Sequence, residues 1–173
     1  MEAAARQTGT SGRHRSGAVR ILEGQAGSNA AARAMAAYVA ELDERLDTGF
    51  DPALAMEVDA DEVTPPNGDF MLVSEVGTGE VVGFGAVRLM SPGVVEIKRM
   101  WLKPDVRGQG LGRFLLTSLE NRARALGARR VLVAVSERLV EACGLYVAEG
   151  YQPVERYEDN PYTDHFFGKQ LLP

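Results

Sequence analysis

The sequence predicts an α+β fold in α/β/α layers: a mixed, mostly antiparallel central sheet of about seven strands with flanking helices. Three observations predict it. Segments 69–76, 81–90 and 94–102 read as consecutive strands joined by short turns, as in an antiparallel meander. Residues 110–126 then read as one amphipathic helix. Residues 130–135 (RVLVAV) follow as a nearly continuous apolar run, typical of a strand covered on both faces. A strand, helix and strand in that order require a crossover, and so a parallel pair within the sheet.

Taken in order, 18–23 (AVRILE) alternates as a first strand. Residues 29–46 carry Ala, Met, Tyr, Val and Leu at helical spacing, with Ser28 or Asn29 as cap and Gly49 and Pro52 as terminators. Residues 51–68 hold three prolines and many carboxylates and read as a loop, with a short helix expected at 53–58. Gly77-Thr78-Gly79-Glu80 and Ser91-Pro92-Gly93 are the meander turns, and Pro104 stops the third strand. By simple alternation Glu96, Lys98, Met100 and Leu102 share one face of that strand, and Val95, Ile97, Arg99 and Trp101 the other. Leu111, Leu115, Leu119, Ala123 and Leu126 form the apolar stripe of the next helix, which Gly127 caps. Residues 137–148 are a third helix ended by Gly150, and 151–157 and 164–172 are closing strands.

The 173 residues are 45% hydrophobic and 25% charged, the composition of a soluble globular protein. Residues 1–17 lack apolar periodicity and are expected to be a disordered tail, leaving 18–173 as a single domain. No apolar run approaches the ~18 residues of a membrane span. The start of the chain lacks the apolar core of a secretory signal, so a cytoplasmic location is expected. A lone Cys143 with His14 and His165 cannot make a Cys/His zinc cluster, so no metal is expected. A net charge of -5 argues against nucleic acid or an anionic membrane as partner.

The chemistry lies in 94–114, VVEIKRMWLKPDVRGQGLGRF. A strand runs into a loop holding Gly108, Gly110 and Gly112, and a helix begins at once. Glycines let main chain approach a ligand, and a helix N-terminus supplies unpaired N–H groups and positive dipole. Together they suit a phosphate or pyrophosphate, with Arg107 and Arg113 able to add charge. The lysine of a GxxxxGK[ST] loop is missing, and the third glycine comes one residue early for GxGxxG.

Arg107-Gly108-Gln109-Gly110-Leu111-Gly112 resembles the Arg/Gln-x-x-Gly-x-Gly/Ala signature of the GCN5-related N-acetyltransferases (GNAT). Residues 142–151 (ACGLYVAEGY) resemble that family's later Leu-Tyr-x-x-x-Gly-Phe segment, and the element order matches over roughly 19–172. Leu139 stands where many members carry an asparagine that contacts the cofactor. The resemblance implies a GNAT-like acyl-CoA N-acyltransferase fold and acetyl-CoA as co-substrate. It implies a pyrophosphate held by main chain of Arg107, Gly108, Gln109, Gly110, Leu111, Gly112 and Arg113. The pantetheine arm would pair with main chain of Met100, Trp101 and Leu102, which requires this strand to splay from 130–135.

Acetyl transfer to an amine needs a base and, for the departing thiolate, an acid. Glu96 resembles the glutamate some members use as base; alternatively it is a strand carboxylate paired with Lys98 or Arg99. Tyr146 is placed by the resemblance near the cofactor sulfur as acid; alternatively it fills the core. A main-chain N–H from 100–102 would bind the oxyanion. Cys143 as a covalent nucleophile has no neighbouring base. The expected acceptor is a small-molecule amine. A cationic one is considered because 41–69 holds ten carboxylates against Arg45 alone. The alternatives are a non-catalytic acyl-CoA-binding module and a transferase acting on a protein or peptide amine. Closing strands with a free edge leave a homodimer open.

Overall fold

The computed structural model describes residues 17–55 and 58–173. The expected tail lies outside the described residues up to position 16, as do positions 56 and 57 of the expected 53–58 helix; residues 52–54 form a turn. The strands are β1 (Val19–Leu22), β2 (Gly68–Glu75), β3 (Val81–Ser91), β4 (Val94–Leu102), β5 (Arg130–Val135), β6 (Gln152–Pro153) and β7 (His165–Gln170). The helices are α1 (Asn29–Arg45), α2 (Leu111–Ala125) and α3 (Val140–Ala148). All seven strands form one sheet in the order β1-β2-β3-β4-β5-β7-β6. β4 and β5 are its parallel pair, joined by the α2 crossover.

Local chemistry sets the boundaries. Ser28 caps α1, its hydroxyl accepting from the Ala31 N–H at 3.0 Å. Alternation along β2 divides the core between the two faces of the sheet. Met71 and Val73 join Leu115, Leu119, Val131 and Tyr146 under α2 and α3, whereas Phe70 and Leu72 join Ala31, Ala34, Phe84 and Trp101 under α1.

Two expectations are corrected. Simple alternation fails in β4, because Ala86 faces Arg99 while the next residue, Val87, faces Ile97. Lys98 is therefore an extra, unpaired residue, and this bulge reverses the phase. Val95, Ile97, Met100 and Leu102 share the α2 side, and Trp101 lies on the α1 side. The closing strand at 151–157 shortens to two residues. Beyond the Val154 N–H bond to Phe166 O (2.8 Å), residues 155–163 leave the ladder, and Pro161 cannot donate to one.

Candidate active site

The site begins where two neighbouring strands part. β4 pairs with β5 only from Val94↔Arg130 to Ile97↔Val133. Beyond that, β5 stays with β7 through Val135, and β4 stays with β3 through Leu102. A gap opens between them. The Lys103 N–H donates to Val82 O at 2.8 Å, which fixes the phase of the ladder. Trp101 turns its N–H and C=O to β3, and Met100 and Leu102 turn theirs into the gap. Of the three residues expected to offer main chain, Trp101 therefore does not; its indole Nε1 instead donates to Glu41 at 2.6 Å.

Two cavities meet in this gap. The outer one, about 410 Å³, is bordered by every predicted cofactor residue except Gln109 and Leu111. The inner one, about 80 Å³, is bordered by Glu96, Lys98, Arg99, Tyr146 and Glu158. Tyr38, Leu42, Met100, Leu139 and Ala142 line both. Leu139 is thus an apolar junction residue at the mouth of α3.

On the outer side, Gly110 precedes α2 with φ of 82°, a left-handed conformation that glycine adopts without strain. The Phe114 N–H makes the first bond of the helix, to Gly110 O at 3.1 Å. The N–H groups of Leu111, Gly112 and Arg113 precede any acceptor four residues back. The two arginines have partners of their own. Arg107 donates to Leu102 O (Nε 3.0 Å, Nη2 2.7 Å) and to Glu41 at 2.7 Å. Arg113 Nε lies 2.5 Å from Glu149 Oε1. Burial raises the Glu41 carboxyl, but hydrogen bonds from Trp101, Arg107 and Arg45 outweigh it and hold the group below its ordinary range. Arg45 also pairs with Glu141, tying α1 to α3 across the outer cavity.

On the inner side, Glu96 is almost wholly buried, at 1% exposure. It accepts from Arg88 Nε at 2.9 Å and from Tyr157 Oη at 3.3 Å, and Lys98 Nζ lies 3.7 Å away. Burial pushes its carboxyl up, and Lys98 and Arg88 offset this only in part. Lys98 Nζ donates to Glu158 at 3.0 Å, and Arg88 reaches Glu62 at 3.1 Å. Tyr146 is buried at 3% exposure against Tyr151 (5.4 Å between ring centres), and burial raises its hydroxyl above the ordinary value. Cys143 is half-buried and its thiol is likewise raised by burial, which disfavours the nucleophilic thiolate.

The described carboxylates of the acidic run do not form the inner wall: none of those in 41–69 borders the inner cavity. Several are engaged locally: Asp43 accepts from the Phe50 N–H, Asp47 pairs with Arg138, Asp59 and Glu62 cap a 3-10 turn, and Asp69 accepts from the Gly24 N–H. Sequence reasoning missed Lys98, Arg99 and Glu158 as cavity residues. The bulge that aims the first two has no sequence mark, and Glu158 sits in an irregular segment 60 positions from Lys98.

The model of the acetyltransferase (GNAT) family matches residues 36–151. The chain is 30% identical over 130 residues to an IAA acetyltransferase of Azospirillum brasilense, covering 75% of this chain and 82% of that one. It is 33% identical over 98 residues to an uncharacterized N-acetyltransferase of Schizosaccharomyces pombe, covering 56% of this chain and 60% of that one. The match thus spans less than two thirds of the yeast relative. An acetyltransferase of the GNAT family from Staphylococcus aureus superposes with a TM-score of 0.73 over 90% of this chain and 100% of that one, at 13% identity, and so shares the fold.

Proposed function

The chain belongs to the acetyltransferase (GNAT) family, and on that premise we propose that it transfers the acetyl group of acetyl-CoA to the primary amine of a small-molecule acceptor. Residues 18–173 act as one catalytic unit in this reading. The observation that carries it is the pair of adjoining cavities in the β4–β5 gap, which share five wall residues, one reaching the glycine loop and the other the buried Glu96 and Tyr146.

Acetyl-CoA is held mainly by main chain. The N–H groups at the start of α2, framed by Gly108, Gly110 and Gly112, receive the pyrophosphate. Gln109, Leu111, Arg107 and Arg113 belong to the same cradle. Their main chain is the contact; the Arg107 guanidinium already serves Leu102 O and Glu41. The edge of β4, through Met100 and the Leu102 N–H, receives the pantetheine arm as an added strand.

The acceptor enters the inner cavity, whose roof is Phe50 and Tyr162 with ring centres 4.8 Å apart. That confined space favours a small molecule over a polypeptide. Glu96, directly or through water, takes the proton of the bound ammonium. The neutral amine attacks the thioester carbonyl within a ternary complex. A main-chain N–H of the free edge, at Met100 or Leu102, stabilises the oxyanion. The C–S bond then breaks; Tyr146 gives its hydroxyl proton to the departing thiolate, and the proton lost by the acetylated nitrogen, passed through water, restores it. Burial keeps the Tyr146 hydroxyl protonated, so it is available to hydrogen-bond the developing thiolate.

The test is calorimetric titration with acetyl-CoA, followed by an amine screen that reads free CoA thiol. Binding together with amine-dependent thiol release is expected. Acetyl-CoA binding with no release across aliphatic amines, aromatic amines and amino acids would reduce the protein to an acyl-CoA-binding module. Absence of binding heat would overturn the reading altogether.

A further inference from the structure

Four charged side chains border the inner cavity: Glu96, Lys98, Arg99 and Glu158. Three of them satisfy one another. Lys98 Nζ bridges Glu158 and Glu96, and Glu96 also takes Arg88. Arg99 differs. Among the described residues its one polar contact is a long approach of Nη1 to Met35 Sδ at 4.0 Å, and no carboxylate meets it. It is half-buried between the inner cavity and a neighbouring groove, where Tyr38, Phe50 and Ala55 are shared walls.

A guanidinium withdrawn from water without a counter-charge is unfavourable, and the group best matched to its planar fork is a carboxylate. The acidic run that could have supplied one lies elsewhere: its described carboxylates border neither the inner cavity nor the neighbouring groove. The bulge at Lys98 explains the placement. It leaves Arg99 beside Met100, whose main chain faces the gap where the acetyl group is transferred. Arg99 and Met100 both border the inner cavity, so one small acceptor can meet both.

We infer that the acceptor is an amino carboxylate, a small molecule whose carboxylate pairs with Arg99 while its amine is presented at the free edge of β4. This rests on the acetyl-transfer reading and adds the acceptor's chemical class. It also argues against a cationic acceptor, because among the described residues the one charge left open in the cavity is positive.

The experiment measures CoA thiol release with L-α-amino acids, β-alanine and γ-aminobutyrate, each against its own carboxamide. In at least one pair the carboxylate is expected to exceed the amide in kcat/KM by at least about tenfold. Arg99→Met should then lower kcat/KM for that carboxylate at least about tenfold more than for the amide, chiefly through KM. Arg99→Lys should recover part of the preference. The comparison within the unaltered chain needs no variant, so misfolding of Arg99→Met does not remove the test. Equal use of both members of every pair, no turnover of any carboxylate, or an Arg99→Met that lowers both members alike would each overturn the inference. If acetyl-CoA still binds and other amines are acetylated, only the acceptor class falls. If acetyl-CoA gives no binding heat, the acetyl-transfer reading falls with it.

Discussion

On the outer side of the cleft, the groups that face the cavity include main-chain groups of Met100, Leu102 and the start of α2, beside the paired side chains of Glu41, Arg45 and Glu141. On the inner side they are the side chains of Glu96, Lys98, Arg99, Tyr146 and Glu158, drawn from β4, α3 and the irregular segment after β6. The main-chain cradle depends on backbone shape, so most substitutions leave its donors in place. The inner cavity depends on burial and pairing of charges, where removing one group leaves another without its partner. Binding of the co-substrate is therefore expected to be tolerant, and turnover sensitive, to side-chain change.

Three substitutions break or sharpen this contrast. Glu96→Gln is expected to have the largest effect, a loss of about a hundredfold in kcat with acetyl-CoA affinity retained. Its pH profile carries the sign. Glu96 accepts a proton only when ionised and its pKa is raised, so the wild-type rate climbs with pH through a point above the ordinary carboxylate range. That limb should disappear in the glutamine variant; a limb that survives unchanged would remove Glu96 as base. Tyr146→Phe follows, with turnover lower by about tenfold in a steady-state assay and acetyl-CoA affinity little changed. Unaltered turnover would return Tyr146 to a packing role. Gly110→Ala is the smallest. An added Cβ meets nothing within 4 Å, so the fold is kept. The left-handed conformation costs roughly 1–2 kcal/mol, so acetyl-CoA should bind about fivefold or more weakly by calorimetry, with kcat of the saturated enzyme nearly intact. A fall in kcat with unchanged affinity would invert the comparison.

Local chemistry explains which parts were legible. The Ser28 cap, the turns at Gly77–Glu80 and Ser91–Gly93, and the stripe of α2 each depend on a few adjacent residues, and the structure reproduces them. The glycine loop is legible for the same reason: its function follows from backbone freedom next to a helix start. The β4 bulge was not legible. It arises from how β3 and β4 register against each other, and no residue type announces it. The closing strand shortened because the chain after Pro153 leaves β7 to line the inner cavity, a choice made by tertiary packing.

By itself the sequence determined the mixed sheet, the parallel crossover and the place of the glycine cradle, because periodicity and turn chemistry act over a few residues. Only the tertiary structure decided where β4 leaves β5, which main-chain groups face the gap, and which charges stand paired or open inside it. Those outcomes depend on strand register and on contacts between residues as far as 96 positions apart, as between Arg45 and Glu141. Burial then raises the pKa of Glu96 and of Tyr146, and burial exists only once the chain has folded.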